Sequence, residues 1–148
     1  MKNETIAITS PAERNNAQKQ NVPSIVEQWL KEAKQQPDAD QCGMYLFHNG
    51  VVRGTAKAQV RHGENSPRVT GMQFSFDQKK VDAAVQRIKE MPGIFHVRAW
   101  LNSGTMQVGD DLMLILVGGD IRPHVVDALQ ALLDELKSIC VKEQEHYE

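Results

Sequence analysis

The chain has 148 residues, 41% of them hydrophobic and 5% aromatic, with a formal net charge of −2. That length suits one domain with a real core, and the weak acidity excludes a general nucleic-acid binder, whose surface must neutralise phosphates. No apolar run approaches the ~20 residues of a membrane span, the N-terminal stretch lacks the apolar centre of a signal peptide, and Cys42 and Cys140 stand outside any Cys-x-x-Cys pair, so a soluble cytoplasmic protein in a reducing compartment is expected.

Residues 1–20 are polar without a sustained period and read as a disordered or loosely attached segment ahead of a single domain, 21–148. Pro23 suits a first helical turn. Ile25, Val26, Trp29, Leu30 and Ala33 then share one side at helical spacing, and the helix should stop before Pro37. Cys42 to Phe47 reads as a buried strand. His48-Asn49-Gly50 punctuates it with a tight turn or bulge, because Asn and Gly tolerate positive φ. Lys57 to Pro67 is polar and reads as a mobile loop. Val69 to Phe76 alternates as a strand, with Met72, Phe74 and Phe76 on one face.

Asp77 is a good N-cap for a helix whose stripe is Val81, Ala84, Val85 and Ile88, ended by Met91-Pro92-Gly93. The stretch Ile94 to Leu136 organises the rest: an alternating strand, a turn at Gln107-Val108-Gly109-Asp110, the apolar strand Leu112 to Val117, a Gly118-Gly119-Asp120 break, and a helix folded back over the hairpin. Val125, Leu129, Leu132, Leu136 and Ile139 form that helix's stripe, widened by Val126, Leu133 and Cys140. With no Gly or Pro to stop it, the helix is expected to run on into Lys142 to Glu148. Hairpin strands interleaved with helices predict an α+β fold, a mainly antiparallel sheet covered by helices.

The five histidines show no metal-ligand spacing, and Gly118-Gly119 lacks a phosphate-loop lysine, so neither a metal nor a cofactor is implied. Basic residues near turns are the better candidates. Arg53 follows the Asn49-Gly50 break, and Arg122 opens the last helix, where unpaired N–H groups favour an anion. Lys137 falls at the border of the last apolar stripe and is expected to be half-buried, which suits a base or a nucleophile. Each has a plainer reading: Arg53 as a surface ion-paired arginine, Arg122 as a donor to loop carbonyls, and Lys137 as a snorkelling stem beside Leu133 and Leu136. The residues alone give a soluble α+β domain with a candidate anion site.

The order of motifs adds a resemblance. Phe47-His48-Asn49-Gly50-Val51-Val52-Arg53 is similar, with one extra residue, to the F-x-G-x-V-R strand of the large, catalytic subunit of molybdopterin synthase, the MoaE family. The strand and helix of Val69 to Met91 follow in the same order. Gly104-Thr105-Met106-Gln107-Val108-Gly109-Asp110 is similar to that family's G-x-L-x-x-G-E hairpin, and Arg122 through Leu136-Lys137 to its final helix. The resemblance spans roughly Val22 to Lys142.

It implies an α/β-hammerhead fold and a homodimer. A small ubiquitin-like subunit, MoaD, would insert its C-terminal Gly-Gly thiocarboxylate tail, and sulfur would pass to cyclic pyranopterin monophosphate to form the molybdopterin dithiolene. By resemblance Lys137 and Lys142 would be catalytic, with Lys137 the general base or the amine that meets the thiocarboxylate, and Arg53 and Arg122 would hold anionic groups. Departures accompany it. The family's His-Arg at the last helix is Ile121-Arg122, another His-Arg falls on Leu101-Asn102, and the segment between the two lysines, Ser138 to Val141, has neither Pro nor Trp. Two functions therefore stand side by side: a divergent sulfur-transferring enzyme, and a catalytically degenerate homologue that acts as a binding or regulatory dimer.

Overall fold

A computed structural model of the protein describes residues 21–63 and 67–148. The segment 1–20, expected to be disordered, lies outside them. In chain order the elements are α1 (Val22–Ala33), β1 (Met44–Val51), α2 (Lys57–His62), β2 (Val69–Phe76), α3 (Gln78–Lys89), β3 (Ile94–Leu101), β4 (Gly104–Gln107), β5 (Asp111–Gly119), α4 (Arg122–Glu135), a π-helical turn (Leu136–Cys140) and β6 (Val141–Tyr147). The strands form two antiparallel three-stranded sheets, ordered β1-β5-β3 and β4-β2-β6. This is the expected α+β architecture.

The apolar run of β5 is the centre of the first sheet and is buried on both faces. Successive side chains of a strand point to opposite faces. Met113, Ile115 and Val117 accordingly enter the main core with Val97, Val125, Leu132 and Leu136. Leu114 and Leu116 face the other way, into a second cluster with Trp29, Ala33 and Trp100 under α1. Burial of a side chain such as Leu116, fully buried here, contributes about 1.5–3 kcal/mol. The stripe predicted for α1 is what closes that outer face. Arg98 of β3 fastens it there: it is buried, pairs with Glu32, and lies 4.7 Å from the centroid of the Trp29 ring.

Several local readings hold. Asp77 caps α3 by accepting from the backbone N–H groups of Lys79 (3.0 Å) and Lys80 (3.3 Å). The turn from Gln107 to Asp110 is built on Gly109 at φ 92°, with the Asp110 carboxylate accepting the Gln107 N–H at 2.8 Å. At Asn49-Gly50 the outcome is the bulge: β1 runs on to Val51 with a register shift after Gly50, and neither residue takes a positive φ.

Other expectations are corrected. The hairpin strand divides: β3 pairs with β5, while β4 crosses to the second sheet and pairs with β2. Asn102 makes the switch. It is fully buried; its side-chain amide donates to the Asp111 carbonyl and its side-chain oxygen accepts from the Ser103 N–H. The polar stretch expected to be a loop from Lys57 carries the helix α2, because Lys57-Ala58-Gln59 are strong helix formers. The last helix does not run into the tail. It widens into the π turn at Leu136 and then becomes β6, which pairs with β2 along its length. The wider turn moves Ile139 off the stripe, leaving it exposed, and Ala128 takes a core place instead.

Candidate functional site

The bulge of β1, the start of α2, the last turn of α4 and the edge strand β6 converge on a cavity of about 300 Å³. Its apolar floor is Met72, Leu112, Met113 and Leu133, and its polar wall includes His48, Arg53, Lys57, Gln130, Asp134, Lys137, Glu143 and Glu145. The parity of β1 explains His48: Met44 and Leu46 pack on the main core, so His48 and Gly50, two and four residues beyond Leu46, continue along that face into the cavity. Asn49 points the other way and ties the bulge to β5, donating to Asp111 Oδ1 and to the Met113 carbonyl, both at 3.1 Å.

Lys137 sits on the π turn, one helical turn beyond Leu133. Such insertions recur at functional sites because they re-aim the side chains that follow. Lys137 is exposed, not half-buried as its stripe position implied. It remains close enough to act on its neighbours. Burial first, and then the Lys137 charge, holds the His48 imidazole below its ordinary value, which favours its neutral form. Burial, followed by the charges of Lys137 and Arg61, presses Lys57 down from the lysine range against the opposing pull of Glu145. The Lys57 ammonium is ion-paired with Glu143, and its backbone N–H donates to Glu145 Oε1 at 3.3 Å.

Of the four residues singled out in the sequence, Arg53 and Lys137 share this cavity. Lys142 does not. It faces a neighbouring cleft of about 480 Å³ with Ser75, Asp77, Lys80, Ser138 and Ile139, because in β6 it has the opposite parity to Glu143 and Glu145. Arg122 is exposed at the first residue of α4 and lines neither space. Lys57 and His48 are among the cavity residues that sequence reasoning missed, with Gln130, Asp134, Glu143 and Glu145. The parity of β1 could have found His48, and the helix propensity of Lys57-Ala58-Gln59 could have found the element that presents Lys57. Among the described residues no group of three His, Cys, Asp or Glu side chains could hold a metal ion, and no helix is long and apolar enough to cross a membrane.

The arrangement gathers three basic side chains from three separate segments, Arg53 and Lys137 exposed and Lys57 half-buried, around an apolar floor, with the carboxylates of Asp134, Glu143 and Glu145 among them. A neutral imidazole beside them can accept or donate a proton.

Comparison with known proteins agrees with the architecture. The molybdopterin synthase structure from Staphylococcus aureus is 19% identical, with a TM-score of 0.61 over 74% of this chain and 77% of that one. A complex of subunits 1 and 2 of molybdopterin-converting factor from Helicobacter pylori 26695 is 13% identical, with a TM-score of 0.62 over 87% of this chain and 80% of that one. The molybdopterin biosynthesis MoaE protein from Burkholderia ambifaria MC40-6 is 13% identical, with a TM-score of 0.61 over 87% and 81%. At such identities these similarities establish the fold. No curated protein sequence matches significantly. The family described as MoaE protein matches residues 19–139, which is most of the chain and every element from α1 to α4, and the chain belongs to that family.

Proposed function

We propose that this chain is a divergent large subunit of molybdopterin synthase, transferring sulfur from the thiocarboxylate of a small MoaD-type subunit to cyclic pyranopterin monophosphate. Membership of the MoaE family supports a role in molybdenum cofactor biosynthesis. The observation that carries the finer reading is the meeting of Arg53 and Lys137, far apart in sequence, in one cavity with Lys57. The chemistry needs such a place, since the precursor carries a phosphate and the incoming tail a negative thiocarboxylate.

In this reading Arg53 holds an anionic group, and Lys137 is the general base or the amine that meets the thiocarboxylate carbonyl. A lysine does either only as the free amine. Lys142, turned to the neighbouring cleft, has at most an assisting role, and Arg122 would hold an anion only at the surface where α4 begins. The protein acts in the cytoplasm as a homodimer with the small subunit bound. A light-scattering mass close to that of one chain at micromolar concentration would contradict the dimer. The deciding assay combines purified protein, thiocarboxylated partner and precursor, scored for molybdopterin.

A second reading, a binding or regulatory dimer without turnover, is favoured by two observations. Asn102, where the family has a His-Arg pair, is spent on holding the sheet switch, and Ile121 offers no proton-transferring group. In that case the same assay yields no molybdopterin while the small subunit still binds.

A further inference from the structure

The anion cavity is electrically balanced from within. Its basic side chains Arg53, Lys57 and Lys137 are matched by Asp134, Glu143 and Glu145. Two of those three acids come from a single edge strand, β6. Pairing with β2 sets Glu145 opposite Met72 and Glu143 opposite Phe74. Residues directly opposite in a sheet share a face, and Met72 is on the cavity floor, so the register itself directs both carboxylates inward. Positions 143 and 145 are half-buried, whereas 142, 144 and 146 are exposed.

Both acids converge on Lys57. Glu143 takes its ammonium, with 33% of the Lys57 side chain and 21% of the Glu143 side chain left exposed. Glu145 takes its backbone N–H. An anion entering the cavity therefore finds one of the three cations already occupied.

We infer that Glu143 is a resident counter-ion which an incoming anionic group must displace from Lys57, so that this carboxylate on the C-terminal strand sets the affinity and selectivity of the cavity. The inference rests on reading the cavity as the anion site of the proposed enzyme. It carries a selectivity. Exchanging one carboxylate for another on Lys57 gains little, whereas a dianionic phosphate brings a second charge for Arg53 and Lys137. A phosphate group is the anion this arrangement selects.

The test is isothermal titration of the full chain with inorganic phosphate and, separately, with a synthetic peptide ending in Gly-Gly, for the wild type, Glu143→Gln, Glu143→Asp and Glu145→Gln. Thermal melts confirm that each variant is folded. Glu143→Gln should bind phosphate about five- to tenfold more tightly, the effect of removing one competing, partly screened charge. Glu145→Gln should show a smaller gain in the same direction, because Lys57 keeps its pair. Glu143→Asp should stay near wild type. A larger gain for phosphate than for the peptide supports the selectivity, and the reverse order overturns it. Unchanged or weaker phosphate binding in both glutamine variants, or no binding by any of the proteins, overturns the inference. Should Glu143→Gln fail to fold, Glu145→Gln decides. Tighter phosphate binding in a protein that transfers no sulfur would keep this inference and remove the enzyme reading. Sulfur transfer with unchanged anion affinity in the variants would do the opposite.

Discussion

Arg98→Ala should loosen α1 from the sheet. Arg98 is 7% exposed, its guanidinium pairs with Glu32, and it stacks 4.7 Å from the Trp29 centroid. A buried charge-assisted hydrogen bond is worth about 1.5–3 kcal/mol, but Glu32 keeps 31% of its side-chain exposure and regains water when released, which reduces that term to about 1 kcal/mol. The cation–π contact adds about 0.5–1 kcal/mol, and the lost packing of the stem about 1 kcal/mol. The expected cost is about 2–3 kcal/mol. For a chain of this size that lowers Tm by roughly 5–10 °C. Chemical denaturation of wild type, Arg98→Ala, Glu32→Gln and the double variant measures it, with a coupling of about 1 kcal/mol expected between the two sites. The depressed Glu32 carboxyl, held down first by the Arg98 hydrogen bond, adds a signature: the coupling is present above the ordinary Glu range and fades as pH falls below it. A cost under about 0.5 kcal/mol for Arg98→Ala would refute the reasoning and leave the attachment of α1 to Trp29, Val22 and Ala33 alone.

Three further outcomes follow from the same geometry. His48 and His96 are both held below the ordinary imidazole value, chiefly by burial, so the unfolded chain takes up protons first and stability should fall as pH drops from 7 to 5. His96→Gln and His48→Gln should each flatten that slope of Tm against pH, and an unchanged slope would show that neither contributes. Gly71→Ala places a Cβ 2.4 Å from the Met106 carbonyl oxygen, a backbone atom that cannot swing aside, so β2 must part from β4 at a cost of about 2 kcal/mol or more, read from the denaturation midpoint. Lys137→Ala, at an exposed position, should cost about 1 kcal/mol or less in the same experiment.

Sequence legibility followed the apolar pattern. The run Leu112 to Val117 announced an apolar strand, and the structure adds that its odd and even residues enter different cores. Asp77 and the Gln107–Asp110 turn were legible because their chemistry is local. The division of the hairpin at Asn102 was not, because alternation marks a strand without naming its neighbour. The π turn was hidden for a related reason: the spacing of Leu132, Leu136 and Ile139 suits a continuing helix, and only packing shows that Ile139 leaves the stripe. Strand β6, Val141–Tyr147, is almost wholly polar, so its pairing with β2 is a tertiary fact without a hydrophobic trace. The site divides in the same way. Arg53 and Lys137 stood out beside a turn and a stripe. Lys57, Glu143 and Glu145 lay in stretches that read as solvated chain, and their meeting depends on the register of β6.

The central claim is that the Arg53–Lys137 cavity transfers sulfur. The most direct measurement is molybdopterin formation by the wild type and by Lys137→Ala, each with a thiocarboxylated MoaD-type partner and cyclic pyranopterin monophosphate. The account predicts product from the wild type and essentially none from Lys137→Ala, with the partner still bound and the melting temperature within a few degrees of wild type. Equal rates for the two proteins would contradict the assignment of Lys137, and no product from the wild type with a competent partner would contradict the enzyme itself.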